Sequence, residues 1–193
     1  MDDLGQHEYA ALRATIRERG TVRAITFFVT VLAWAMIDLG FLASRPHHVI
    51  GALLSLMVLA AGFETIFQLH LGVERVGRYL QAAYEERREA ALGEPGAQAA
   101  AVRPAWETTA MAYGKAYPAA GSDPLFTTMF LLATLVNLLP VLHVWRMPGV
   151  LVTLLLAHLL FVGRIRLARK RAGRQRGEDL ARFRELLSPP GPR

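Results

Sequence analysis

Four long apolar runs constrain this chain more than any other feature: Ala24–Ser44, Val49–Leu71, Leu125–Val144 and Gly149–Val162. A helix of ~20 apolar residues spans the ~30 Å hydrocarbon layer of a bilayer. The runs therefore predict an all-α integral membrane protein with four transmembrane helices. The links within each pair of runs are Arg45-Pro46-His47-His48 and Trp145-Arg146-Met147-Pro148. Links this short permit only tight turns, so the runs pair as two hairpins. Of 22 Lys and Arg residues, only Arg45 and Arg146 fall in those links, which leaves 20 on the other side. Cytoplasmic segments retain Lys and Arg, most strictly in short loops. Both termini and the long middle loop are expected in the cytoplasm, and the plasma (inner) membrane is the expected location.

Composition narrows the chemistry. A soluble chain of 193 residues would bury a good core, but it would not need four bilayer-length runs. There is no cysteine, which excludes disulfides, thiolate catalysis and Cys-ligated metals. Met1-Asp2-Asp3 is acidic and the first apolar run starts only near residue 24, so no signal peptide is read. Of the cations only Lys115 and Lys170 are Lys. Arginine forks suit phosphate, and GC-rich coding produces the same bias.

The segments outside the runs divide the chain further. Residues 1–20 read as a cytoplasmic amphipathic helix, with Asp2 or Asp3 as cap, Tyr9, Leu12 and Ile16 on one face, and Gly20 as its stop. Residues 21–71 hold the first hairpin. Residues 72–124 form a helical extension and connector. No proline interrupts Leu71–Leu92, and Val73, Val76, Leu80 and Ala83 keep helical spacing. One helix from about Val49 to about Leu92 is expected, stopped by Gly93-Glu94-Pro95-Gly96. Trp106–Tyr113 predicts a short helix ended by Gly114. Residues 125–163 hold the second hairpin, in which Pro140 is expected to kink the third run. Residues 164–193 form a basic tail with a separate amphipathic helix over Glu178–Leu187.

Polar residues inside the runs are expensive there and face protein or water. At ~1.5 Å per residue, Asp38 lies ~21 Å from the cytoplasmic edge, Asn137 ~18 Å from it, and His158 ~16 Å from the outer edge. The three form a polar layer near mid-membrane in which Asp38 and His158 are expected to interact. The plainer reading is structural interhelical hydrogen bonding, worth ~0.6 kcal/mol on average. Glu64 and Arg164 fall at nearly equal depth ~7 Å inside the cytoplasmic edge and predict an ion pair. In the tail, Arg166, Arg169, Lys170, Arg171, Arg174 and Arg176 suit anionic lipid headgroups, or simply enforce topology. Tethering to a run favours lipid over nucleic acid.

No standard catalytic or phosphate-cradling motif is present. No cofactor or metal is expected. Bis-His haem ligation needs two histidines at one level, and His70, His158 and His143 lie at three depths. Only His143 with His47 or His48 could meet, on the outer side. Three functions fit. The first is a non-catalytic four-span subunit or scaffold that docks partners, another copy or a second membrane subunit, on its cytoplasmic face. The second is an oligomeric ion or proton pathway through the polar layer. The third, a membrane-embedded enzyme acting on lipid, lacks a visible nucleophile and base.

Overall fold

The computed structural model describes residues 3–43, 48–86, 106–117, 122–139 and 147–188. Within them the chain is helical throughout: α1 (Asp3–Ala43), α2 (His48–Leu80), a π-helical turn (Gln81–Glu85), α3 (Trp106–Ala116), α4 (Ser122–Val136) and α5 (Pro148–Leu187). Proline placement sets several of these limits. Pro124 sits in the first turn of α4 and Pro148 opens α5, positions where no intrahelical N–H is lost. The other eight of the ten prolines lie outside the described residues.

Three expected helix ends are corrected. The helix does not stop at Gly20, because α1 runs unbroken for 41 residues. One interior glycine costs ~1 kcal/mol against alanine. Breaking a helix there would forfeit hydrogen bonds on both sides and require a second nucleation. For the same reason α5 is one helix of 40 residues, so Glu178–Leu187 is its last turns and not a separate element. Likewise α3 passes Gly114 and ends at Ala116. The expected cap Asp2 lies outside the described residues.

The helix begun by α2 continues past Leu71, as expected, and a π-helical turn carries it to Glu86, whose N–H bonds the Gln81 carbonyl. The stop at Gly93–Gly96 lies outside the described residues. The third run is different. Its helix ends at Val136, after which Leu138 N–H reaches the Leu135 carbonyl at 3.1 Å and Leu139 N–H reaches that of Val136 at 3.0 Å. These three-residue closures tighten and finish the helix. A proline ring collides with the carbonyl four residues before it, and Pro140 follows Val136 by four. The expected kink at Pro140 falls on residues 140–146, which lie outside the described residues. The apolar part of α4, Leu125–Val136, is shorter than a crossing requires. Among the described residues three helices, α1, α2 and α5, are long and apolar enough to cross a membrane; the third run, which extends to Val144, lies partly outside the described residues.

The chain divides into two compact units, the first made of residues 1–20, 70–121 and 171–193, the second of residues 21–69 and 122–170. In the second unit α1 and α2 run antiparallel: Phe41 meets Gly51, Asp38 meets Ser55, and Thr30 meets Gly62. Small residues on α2 let the two backbones approach closely, which is how helices pack where lipid removes the hydrophobic drive. Phenylalanines fill the centre. Phe63 stacks on Phe67 at 6.0 Å and receives Phe130 and Phe161 edge-on at 5.5 and 5.9 Å. Leu59, Phe130 and Leu154 are fully buried beside them.

In the first unit the ends of α1, α2 and α5 gather around α3. Tyr79 and Tyr84 both donate to Glu8 of α1, at 3.0 and 2.6 Å. Tyr9 meets Tyr84 edge-on at 5.5 Å, and Tyr79 meets Phe183 at 5.6 Å.

Candidate functional site

The polar residues of the second unit form two hydrogen-bonded groups. Asn137 is fully buried and its Nδ2 donates to the Ala52 carbonyl at 2.9 Å. The same nitrogen lies 3.0 Å from His158 Nε2. His158 Nδ1 is 2.7 Å from the Leu154 carbonyl, which can only accept. Nδ1 therefore carries the ring proton and Nε2 accepts from Asn137, so both amide hydrogens of Asn137 are used. Asn137 Oδ1 has no hydrogen-bond partner among the described residues.

Asp38 takes a different partner. Its carboxylate accepts from Ser55, a residue fully buried on α2, and not from His158. Ser55 and Ala52 are three residues apart, a rise of ~4.5 Å along α2. The expected Asp38–His158 contact is thus replaced by two separate anchors on neighbouring positions of α2. The serine hydroxyl satisfies Asp38 at short range, and the asparagine amide claims the histidine.

Arg164 and Glu64 meet fork to fork: Nη2 to Oε2 at 2.7 Å and Nε to Oε1 at 2.7 Å. The guanidinium also lies 5.3 Å from the centre of the Phe67 ring. Bidentate geometry and an aromatic face together stabilise a partly exposed charge.

The tail cations belong to the continuous helix α5. Arg166, Arg169, Lys170, Arg171 and Arg174 are exposed along it. Arg176 differs from these exposed cations. It is half-buried, with Nε 2.8 Å from Glu74 Oε2, a charge contact whose N–H is not aimed at the oxygen.

That contact belongs to a feature of the first unit that the sequence pattern does not reveal. A cavity of about 530 Å³ is lined by Arg13, Arg17, Glu74, Arg78, Glu107 and Arg176, with Trp106 and Met111 on its apolar side. Arg13 Nη1 donates to Glu107 Oε1 at 2.6 Å. Arg78, 5% exposed, donates to Gln81 Oε1 at 2.7 Å and approaches Glu107 Oε2 at 3.6 Å and Glu74 Oε2 at 4.0 Å. Its Nε has no hydrogen-bond partner among the described residues. Burial pushes the Glu107 carboxyl above the usual carboxylate range, against the pull of Arg13 and Arg78 and with help from Glu85 and Glu74.

Local structure explains how Glu107 reaches this position. The first N–H groups of a helix have no intrahelical partner. In α3 those of Glu107 and Thr108 are met by Glu85, at 2.9 Å each, and the Thr108 hydroxyl also donates to Glu85 at 3.0 Å. The cap thus comes from the π-helical turn, about twenty residues earlier, and fixes α3 against the end of α2. Gly77 makes room for the result: a Cβ there would lie 2.7 Å from Glu107 Oε2. Elsewhere in the unit, Arg184 clamps Glu86 at 2.6 and 2.9 Å and holds its carboxyl below the usual range. Glu74 and Arg78, four apart on α2, are the local trace of the cavity in the sequence. Nothing in the sequence ties Glu107 to Arg13 or Glu85 to α3.

Among the described residues no group of three or more His, Asp or Glu side chains could hold a metal ion. The side chains of His47, His48 and His143, which could meet only on the outer side, lie outside the described residues. No family model, curated protein or solved structure matches this chain.

Proposed function

We propose that this chain is a non-catalytic membrane subunit of four spans, with both termini in the cytoplasm, whose cytoplasmic helices dock partners. The observation that carries the reading is that the side-chain N–H groups of the buried Asn137–His158 pair are all spent inside the protein. Asn137 and His158 are 0% and 2% exposed, and their hydrogens are spent on the Ala52 and Leu154 carbonyls and on each other. A proton relayed through His158 would have to enter at Nε2, where the Asn137 amide already donates. Such a layer suits an interhelical lock better than a conduit. The exposed cations and the cavity are on residues that the charge count assigns to the cytoplasm, and the exposed cations of α5 suit anionic headgroups at ~1 kcal/mol each.

The cysteine-free chain makes the topology directly testable. Single replacements Gln6→Cys and Glu178→Cys are expected to resist a membrane-impermeant thiol reagent in intact cells, and Arg146→Cys to react. Reaction at residue 6 or 178 from outside would overturn the orientation.

One observation favours the second reading, an oligomeric ion pathway. Asp38 is only half-buried, and the same helix exposes Leu32, Met36 and Leu39 at helical spacing. A second copy seated there would bring Asp38 to an interface. Proteoliposome flux separates the readings. For a subunit, Asp38→Asn leaves proton and cation leakage unchanged. Loss of a specific flux on that substitution would replace the subunit reading with the pathway.

A further inference from the structure

We propose that the cavity of the first unit binds a phosphomonoester, held by Arg13, Arg78 and Arg176, with Glu107 as the internal anion that the ligand displaces. Four guanidinium groups (Arg13, Arg17, Arg78, Arg176) face two carboxylates (Glu74, Glu107) across the lining. The lining holds more cations than anions, and a phosphomonoester carries about −1.5 to −2 near neutral pH. Arginine forks match phosphate oxygens bidentately. The cavity of about 530 Å³ is several times the size of a phosphate group and within the range of small-ligand sites. Its apolar side, Ile16, Val73, Ala110, Met111 and the ring of Trp106, suits a hydrocarbon or aromatic body attached to the ester. The ligand class is therefore an amphiphilic phosphomonoester, either a soluble metabolite or the headgroup of a phosphatidic acid.

Two features go beyond a bland ion-pair cluster. Arg78 is buried yet keeps an Nε–H without a partner among the described residues, at a cost that a cluster built only for stability would avoid. Glu107 occupies the place of an anion between Arg13 and Arg78, while its burial favours the protonated form. A phosphate that takes over both guanidinium groups removes the attraction that opposes protonation of Glu107. Ligand binding therefore favours proton uptake at Glu107. The charged groups facing Glu107 are Arg13 and Arg17 of α1, Glu74 and Arg78 of α2, Glu85 of the π-helical turn and Arg176 of α5.

The test is calorimetric titration of the full chain in uncharged detergent at neutral pH, with phenyl phosphate and with dioctanoyl phosphatidic acid, each in two buffers of different ionisation heat. At least one probe binds, with proton uptake; preference for the lipid or for phenyl phosphate assigns the source. Arg13→Gln, at a half-exposed position and checked for native helical content and melting, weakens binding about tenfold, the loss of one charged hydrogen-bond set. Glu107→Gln tightens binding and abolishes the proton uptake. No binding of either probe, unchanged affinity in Arg13→Gln, or weaker binding in correctly folded Glu107→Gln would each overturn the proposal.

Discussion

Arg78→Met is expected to be among the most damaging single substitutions in the first unit, at about 3–5 kcal/mol, the range for stranding one side of a buried ion pair. Arg78 is 5% exposed and reaches Gln81 at 2.7 Å, Met111 Sδ at 2.7 Å, and the carboxylates of Glu107 and Glu74 at 3.6 and 4.0 Å. Methionine fills similar length and removes only the charge and its donors. Glu107 and Glu74 would then face each other with Arg13 and Arg176 as partial compensation. Burial already raises the Glu107 pKa, and losing Arg78 raises it further. The sign of the pH dependence follows. A carboxyl whose folded pKa lies above its unfolded value binds its proton more tightly when folded, so stability is regained as pH falls through the raised value. The defect is largest above that range and shrinks in acid. Melting of the full chain in detergent should fall by roughly 10 °C at neutral pH, taking a few degrees per kcal/mol for a chain this size. Hydrogen exchange should localise the loss to the amides of α3. Arg75→Met is the matched control, because Arg75 is mostly exposed and only 3.6 Å from Asp179, a contact worth at most ~1 kcal/mol. Equal melting temperatures for the two variants would refute the ranking.

What the sequence made legible follows from which signals are local. Helical class and the long apolar segments of α1, α2 and α5 are carried by run length and spacing, and those survive in the fold. Counting depth along two runs set Glu64 opposite Arg164, and a fork pair joins them. The same counting set Asp38 opposite His158, but depth says nothing about which way a helix faces. Ser55, three residues from Ala52 on α2, captured Asp38 instead. Glycine misled at residues 20 and 114 because it stops a helix only where other forces already end it; inside α1 and α3 its ~1 kcal/mol cost is outweighed. The described helix of the third run ends at Val136, four residues before Pro140. The π-helical turn contains no Gly or Pro and left no mark in the pattern. Its product, Glu85 capping a helix that begins about twenty residues later, is a long-range contact that periodicity cannot encode.

Gly62→Leu is expected to do in the second unit what Arg78→Met does in the first. A Cβ at residue 62 would run into the Cβ, Oγ1 and Cγ2 of Thr30. Thr30 cannot easily yield, because it is buried and its hydroxyl donates to the Thr26 carbonyl at 2.7 Å. The added leucine must therefore separate α1 from α2. Overpacking costs about 1–3 kcal/mol, and more where backbones have to move apart. The same interface seats Phe41 against Gly51 and Asp38 against Ser55, so a displaced α1 loses those contacts together. Helical content should stay nearly constant, because α1 makes its own backbone bonds and already presents Ile25, Phe28, Val29, Leu32 and Met36 to its surroundings. Loss of pairing without loss of helix is thus the signature, and cross-linking reads it. In the cysteine-free chain, Asp38→Cys with Ser55→Cys should form a disulfide readily under mild oxidant, since the native side chains touch. Adding Gly62→Leu should reduce the yield to roughly a tenth, as a shift of about 1.4 kcal/mol against the paired state requires. Gly40→Leu, where nothing lies within 4 Å of the added Cβ, should leave the yield as it was. Efficient cross-linking in the Gly62→Leu background would mean that the close approach at Thr30 does not hold the hairpin together.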